Sequence, residues 1–262
     1  MRRNKTLQAI TQFPISRAGA LTQVLTDRRN KRNHWLPFPL RLGLLIVGSA
    51  VLGFGASLTF LADIGLGPVD LFADALSEQT GLPIAIIFCS VACLMILLAR
   101  LLGAKPGPGT FTAPMIIGVM LQTFGELWEQ LPTPSTAVGF IIVLIALPCI
   151  GLGGGATITS GLGSGFPDLL ATAVSGKTRQ SVALIRTFFE VFVLSAGILL
   201  GGSFGLGTIM VALLIGMVIR YGNLTTDQLA ASIIRTPWRY RMLFFTNIPP
   251  ALVRVSRLRA KR

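Results

Sequence analysis

The chain has 262 residues, 52% of them hydrophobic and 13% charged, with a mean hydropathy of +0.71. Soluble domains carry about 25% charged residues, so this composition excludes an ordinary soluble domain and predicts an integral membrane protein. The net charge of +13 sits at the two ends: residues 1–40 and 223–262 each hold eight Lys/Arg and one acid, whereas 41–222 holds seven basic and eight acidic residues.

In chain order, residues 1–40 form a basic tail. About forty polar and basic residues before the first long apolar run do not make a signal peptide. Leu7, Ile10 and Phe13 among arginines leave an amphipathic transit peptide as the alternative. Six segments follow that are long and apolar enough to cross a bilayer as helices: 41–62, 83–103, 110–128, 137–160, 181–201 and 208–222. Two pieces between them, 68–80 and 166–178, also read as helices, but they are too short and too polar for lipid-exposed spans. Residues 225–235 and 237–245 mix Leu, Ile, Trp238, Phe244 and Phe245 with arginine, the pattern of an interfacial segment. The expected organisation is a basic tail (1–40), two membrane repeats (41–128 and 137–222) and a basic interfacial or cytoplasmic tail (223–262).

Charge orients the spans. Basic tails flanking a hydrophobic body mark both termini as cytoplasmic, and they suit contact with anionic headgroups. Asp63, Asp70, Asp74, Glu78, Glu126 and Glu129 then fall outside, and Arg100, Lys105, Lys177 and Arg179 inside. No nucleic-acid motif accompanies the basic residues, so lipid is the expected partner and nucleic acid is not.

The chain repeats itself. A shift of 98 residues aligns 51–124 with 149–222 without gaps, and 21 of the 74 positions are identical. Gly65, Gly67 and Asp70 meet Gly163, Gly165 and Asp168. Gly107-Pro108-Gly109-Thr110 meets Gly205-Leu206-Gly207-Thr208. Each repeat reads as span, glycine turn, short helix, span, Gly-x-Gly-Thr turn, span. Three crossings is an odd number, so the second repeat enters the membrane upside down relative to the first, the inverted plan of many secondary transporters. Were the short helices to cross, each repeat would have four spans and the two would be parallel. The fold class expected is all-α: six transmembrane helices plus two short re-entrant or interfacial helices, in two inverted three-span repeats.

Candidate functional residues follow from this plan. Gly65 and Gly67 let the chain turn sharply, Pro68 suits a first helical position, and Asp70 falls in the first turn near the positive dipole end. The plain reading is a well-started helix with an acidic first turn. The functional reading makes each short helix re-entrant, its N-terminal turn lining a cavity near the midplane. Gly65, Gly67, Asp70, Gly163, Gly165 and Asp168 are then the candidate substrate-binding residues. Exposed N–H groups there suit an anion; the carboxylates suit a cation, proton or amine. Arg186 and Glu190, four apart inside the fifth span, share a helix face, and their counterparts are Phe88 and Ala92. They form either a mutually neutralising pair or a coupling site, with Glu190 the better proton carrier. Glycines within spans, such as Gly53, Gly55 and Gly151 to Gly155, suit close helix packing, and the latter run also offers a place for the fourth span to unwind. Cys89, Cys93 and Cys149 read as small buried hydrophobes rather than metal ligands. His34 stands alone. No metal, cofactor or catalytic constellation is expected, and the chain is not expected to be an enzyme.

The pattern Gly-x-Gly-Pro-x-Asp at 65–70, followed by a thirteen-residue helix, a span and Gly-Pro-Gly-Thr at 107–110, resembles the YczE/YyaS-like bacterial membrane proteins, relatives of the YitT group. The resemblance covers about 41–222. The second copy departs from the pattern, with Phe166-Pro167 where the first has Pro68-Val69, and the tails lie outside it. It implies a multi-pass protein of the bacterial inner membrane, of unassigned activity, and supplies no site residues. Two functions compete: a secondary transporter or exporter of a small polar or ionic solute, and a non-transporting scaffold or regulator whose basic tails bind a cytoplasmic partner or anionic lipid.

Overall fold

The computed structural model describes residues 36–233. Among these lie eight α-helices and no strand: α1 (Phe38–Ala62), α2 (Pro68–Thr80), α3 (Ile84–Leu101), α4 (Pro108–Trp128), α5 (Thr136–Thr159), α6 (Phe166–Thr178), α7 (Val182–Leu199) and α8 (Leu206–Ile233). Five of them, α1, α3, α5, α7 and α8, are long and apolar enough to cross a membrane. Six were expected. The sixth, α4, is a helix of 21 residues, but Thr110, Thr112, Gln122, Thr123 and Glu126 dilute its hydropathy. The short helices α2 and α6 have thirteen residues each.

The last helix departs most from expectation. It does not stop at residue 222 but runs on to Ile233. The reason is packing: Asn223, Thr226, Asp227 and Ala230 are buried, a helical face at one-turn spacing. The expected interfacial stretch at 225–235 is therefore largely a continuation of α8. The second stretch, 237–245, and the tails before 36 and after 233 lie outside the described residues.

Proline and glycine set the helix ends. Pro68 opens α2 and Pro108 opens α4, while Pro167 is second in α6. In the first turn the missing N–H costs nothing. At the other end of α2, Gly81 turns the chain with φ +68; the matching residue after α6 is Arg179 with φ +61.

Glycines then decide which helices touch. Helix α5 runs antiparallel to α1: Arg41 meets Ser160 and Gly161, a Cβ on Gly48 would lie 2.8 Å from that of Ala156, and one on Gly55 would lie 2.8 Å from that of Cys149. It runs parallel to α8: a Cβ on Gly151 would lie 2.5 Å from Val218 Cγ1, and Gly155 abuts the backbone of Gly222 and Asn223. In the same sense α1 runs parallel to α4, with Gly53 against Ile117 and Met120 and Phe54 edge-on to Phe124 at 4.9 Å. The glycine run 151–155 does not unwind; α5 is continuous, and its glycines serve the approach of α1 and α8.

The remaining helices are exchanged between the halves. Helix α2 packs on α7, where Leu71 and Phe72 cover Gly197, and α6 packs on α3, where Phe166 meets Phe88 edge-on at 5.7 Å. Cys89 and Cys149 are half-buried. Cys93 is exposed on α3 rather than buried as expected.

Gly153 and Gly216 test the packing argument together. A Cβ on Gly153 would collide with the backbone of Leu52, whereas one on Gly216 meets nothing within 4 Å. Gly153→Ala is expected to destabilise by about 1–3 kcal/mol through overpacking. Gly216→Ala is expected to be neutral or to stabilise by up to about 1 kcal/mol through helix propensity. Thermal unfolding of the purified protein in detergent measures both.

Candidate substrate site at the short helices

Each short helix begins on a turn held by the other half of the chain. In the first half, the N–H of Gly207 donates to the carbonyl of Ile64 at 2.7 Å. Gly65, with φ +115, lies so close to Thr208 that any side chain there would strike its hydroxyl. In the second half, the N–H of Gly109 donates to the carbonyl of Leu162 at 3.0 Å, and the Thr110 hydroxyl donates to the carbonyl of Ser164 at 2.9 Å. A Cβ on Gly163 would lie 2.5 Å from Thr110 Oγ1. Thr110 and Thr208 are fully buried. The repeated Gly-x-Gly-Thr turns are therefore clasps, each seated on the glycine turn of the opposite half. Gly65 and Gly163 are occupied by these contacts.

Beyond the clasps the chain enters each helix at Gly67 and Gly165, the N-cap positions, and neither helix has a side-chain cap. A Cβ on Gly67 would lie 2.9 Å from Asp70 Oδ2, and one on Gly165 would lie 3.7 Å from Asp168 Oδ2. The two carboxylates thus lean over the positive ends of their helices, where the dipole favours them.

Their surroundings differ. Asp168 forms an ion pair with Arg186, whose Nε donates to Glu190 Oε1 at 2.9 Å. The three side chains are 34%, 24% and 23% exposed, so the group is reachable and not sealed in the core. One guanidinium between two carboxylates leaves one negative charge. Asp70 has no such partner: where Arg186 stands, the first half has Phe88, and the Asp70 carboxylate makes no hydrogen bond or ion pair with a described residue. Its charged neighbour is Asp74. Burial first, and Asp74 second, push the Asp70 carboxyl up to about 7. Burial, with Glu78 and Glu129, pushes Asp74 up to about 6.

The sequence placed Asp168 and the Arg186–Glu190 pair separately; the fold joins them. It does not join Asp70 to Asp168 by any contact among the described residues. Leu71 rests on Gly197 and Asp168 on Arg186, eleven residues apart along α7, or about 16 Å of helix.

Sequence reasoning did not single out two groups of residues. Thr110 and Thr208 hold the clasps, and their alignment in the repeat was a usable signal. Thr159, Asn223, Thr226 and Asp227 form a buried polar cluster where α5 meets α8. The spacing of the last three on one helix face was legible, but only for a helix carried past residue 222.

Comparison with known proteins finds a family and two relatives. The model of DUF6198, described as a family of unknown function, matches residues 1–124 and 39–223. The chain is 32% identical over 193 residues to the uncharacterized membrane protein YczE of Bacillus subtilis, covering 72% of this chain and 88% of that one. It is 28% identical over 182 residues to an uncharacterized protein of Haemophilus influenzae, covering 69% of this chain and 82% of that one. No solved structure matches it. The described helices, the five apolar spans and these relatives together make the chain a multi-pass membrane protein, and it belongs to the DUF6198 family.

Proposed function

We propose that the chain is a secondary transporter or exporter of a small polar or ionic solute, working by alternating access of two inverted three-span halves. The observation that carries this reading is the pair of acidic helix starts, each held by the opposite half. A solute or proton that changes the contacts at one short helix then acts on both halves at once. In this reading α4 is the sixth span; its 21 residues give about 31 Å of helix, enough for the hydrocarbon core. The antiparallel course of α1 and α5, each with its own parallel partner, supports the inverted arrangement. Discontinuous segments at the interface between repeats are where such transporters bind their cargo.

Charge narrows the cargo. Arg186 balances one of the two carboxylates of Asp168 and Glu190, and Asp70 has no basic partner among the described residues, so the short-helix starts carry net negative charge. That favours a cation, an amine or a proton over an anion. The basic tails support a reading in which both termini lie on the cytoplasmic side of a bacterial inner membrane, against anionic headgroups.

Flux in proteoliposomes tests the reading. Wild-type protein is expected to move protons, monovalent cations or small amines. Asp70→Asn and Asp168→Asn are each expected to reduce flux at least about tenfold, as loss of a membrane-embedded charge site does. Since the Asp70 carboxyl is raised to about 7, wild-type flux should change between pH 6 and 8, and Asp70→Asn should flatten that change. No flux across the panel, with a cellular phenotype that disappears when 1–35 and 236–262 are deleted, would favour the scaffold reading instead.

Topology has its own check. Single cysteines at positions 74 and 172, in an otherwise cysteine-free chain, are expected to react with a membrane-impermeant thiol reagent from opposite sides, 74 from outside and 172 from inside. Labelling of both from one side refutes the inverted arrangement.

A further inference from the structure

The two clasps are alike in backbone and unlike in what secures them. The turn at 160–165 receives four hydrogen bonds from the first half. The N–H of Gly109 donates to the carbonyl of Leu162 at 3.0 Å, and the Thr110 hydroxyl to that of Ser164 at 2.9 Å. Arg41, near the start of α1, donates through Nε to the carbonyl of Ser160 and through Nη2 to that of Gly161, each at 2.8 Å. The turn at 62–67 receives one bond from the second half, from the N–H of Gly207 to Ile64 at 2.7 Å, and no side chain among the described residues adds another. We propose that Arg41 is a latch on the Leu162 clasp, so that the two halves part first at the Ile64 clasp.

The ends of α5 and α1 account for the difference. The last carbonyls of a helix lack partners within it and lie at the negative end of its dipole. At the end of α5, Gly161 makes the left-handed turn with φ +62, and a guanidinium reaches the free carbonyls. Such bonds are charge-assisted, and positive charge is favoured there. At the end of α1 the same turn falls to Asp63 with φ +49, where glycine would be unstrained and an acid meets the negative end. The counterpart of Arg41 at the 98-residue shift is Gly139, which has no side chain to donate. It lies against the equivalent turn: a Cβ there would be 2.5 Å from the carbonyl oxygen of Ala62, the counterpart of Ser160. The clasping threonines differ in the same direction. Thr110 bonds across to the other half, whereas the Thr208 hydroxyl accepts from the N–H of Gly205 in its own turn, at 3.4 Å.

The consequence for function rests on the reading that the two halves move against each other. In that reading the Ile64 clasp faces outside and the Leu162 clasp faces the cytoplasm. The latch then biases the protein toward opening outward, and the turn that leads to Asp70 is freed before the turn that leads to Asp168. Arg41 bonds to none of the candidate substrate-binding residues. It is a positioning residue, acting through the turn at 160–165 on the start of α6.

Hydrogen–deuterium exchange reads both clasps without any flux, so a chain that carries no solute can still show the latch and an active transporter can lack it. Full-length protein in detergent is exchanged, and protection is compared at the amides of Gly109 and Gly207, the two clasp donors, after correction for intrinsic rates. Wild-type protection is expected to be at least about tenfold greater at Gly109. Arg41→Met keeps the apolar stem and removes the donors. It is expected to lower protection at Gly109 at least about tenfold and to leave Gly207 unchanged. Thr110→Val, close to threonine in shape, is expected to act in the same direction. A general loss of stability would lower both glycines together. Equal protection at the two glycines in the wild type overturns the proposal. So does an Arg41→Met protein in which both fall alike or neither changes.

Discussion

Everything in this fold depends on how closely α5 approaches two neighbours. A membrane offers no hydrophobic force to drive helices together, so they associate where backbones can touch. Helix α5 meets α1 on one side and α8 on the other through glycines that leave no room for a Cβ. That contact fixes the antiparallel pairing of α1 with α5. It also brings the two Gly-x-Gly-Thr turns over the two glycine turns, and so sets where the short helices begin. The acidic residues at those beginnings are a downstream result of helix packing some distance away.

The repeat explains the frame, and its violations point to chemistry. Where the two halves agree, most of the polar and small residues are glycines and the clasping threonines, whose work is structural, with the aspartates Asp70 and Asp168 as the exception. Where they disagree, polar groups appear in one half alone. Arg186 and Glu190 replace Phe88 and Ala92, and the cluster around Thr159 replaces Leu61, Gly125 and Trp128. A buried charge or polar cluster present in one copy and absent from its twin is not demanded by the architecture. Divergence between the copies therefore adds chemistry to the shared acidic helix starts, most plainly the Arg186–Glu190 pair beside Asp168.

Much of this was legible in the sequence. Helices α2 and α6 fall at the expected residues because proline and glycine mark their starts and their polarity forbids a span. The repeat register was legible because glycine and aspartate, unlike leucine, seldom align by chance. The end of α8 was not. Asn223, Thr225, Thr226 and Asp227 read as an exit from the membrane, whereas three of them lie buried against α5. Periodicity within one element does not reveal which neighbour will cover it. The same limit hid the Asp168–Arg186 pair, whose members sit on different helices, and the exchange of α2 and α6 between halves.

The clasps also bear on how the protein is made. The carbonyl of Ile64 finds its partner in Gly207, about 140 residues later in the chain. During synthesis the first glycine turn is complete long before the segment that holds it has left the ribosome. Until the last helix inserts, that turn lacks the hydrogen bond that secures it, so the short helix that starts there is held by fewer contacts. Each half finishes the other, so a fragment ending after α4 is an incomplete folding unit rather than a small version of the protein.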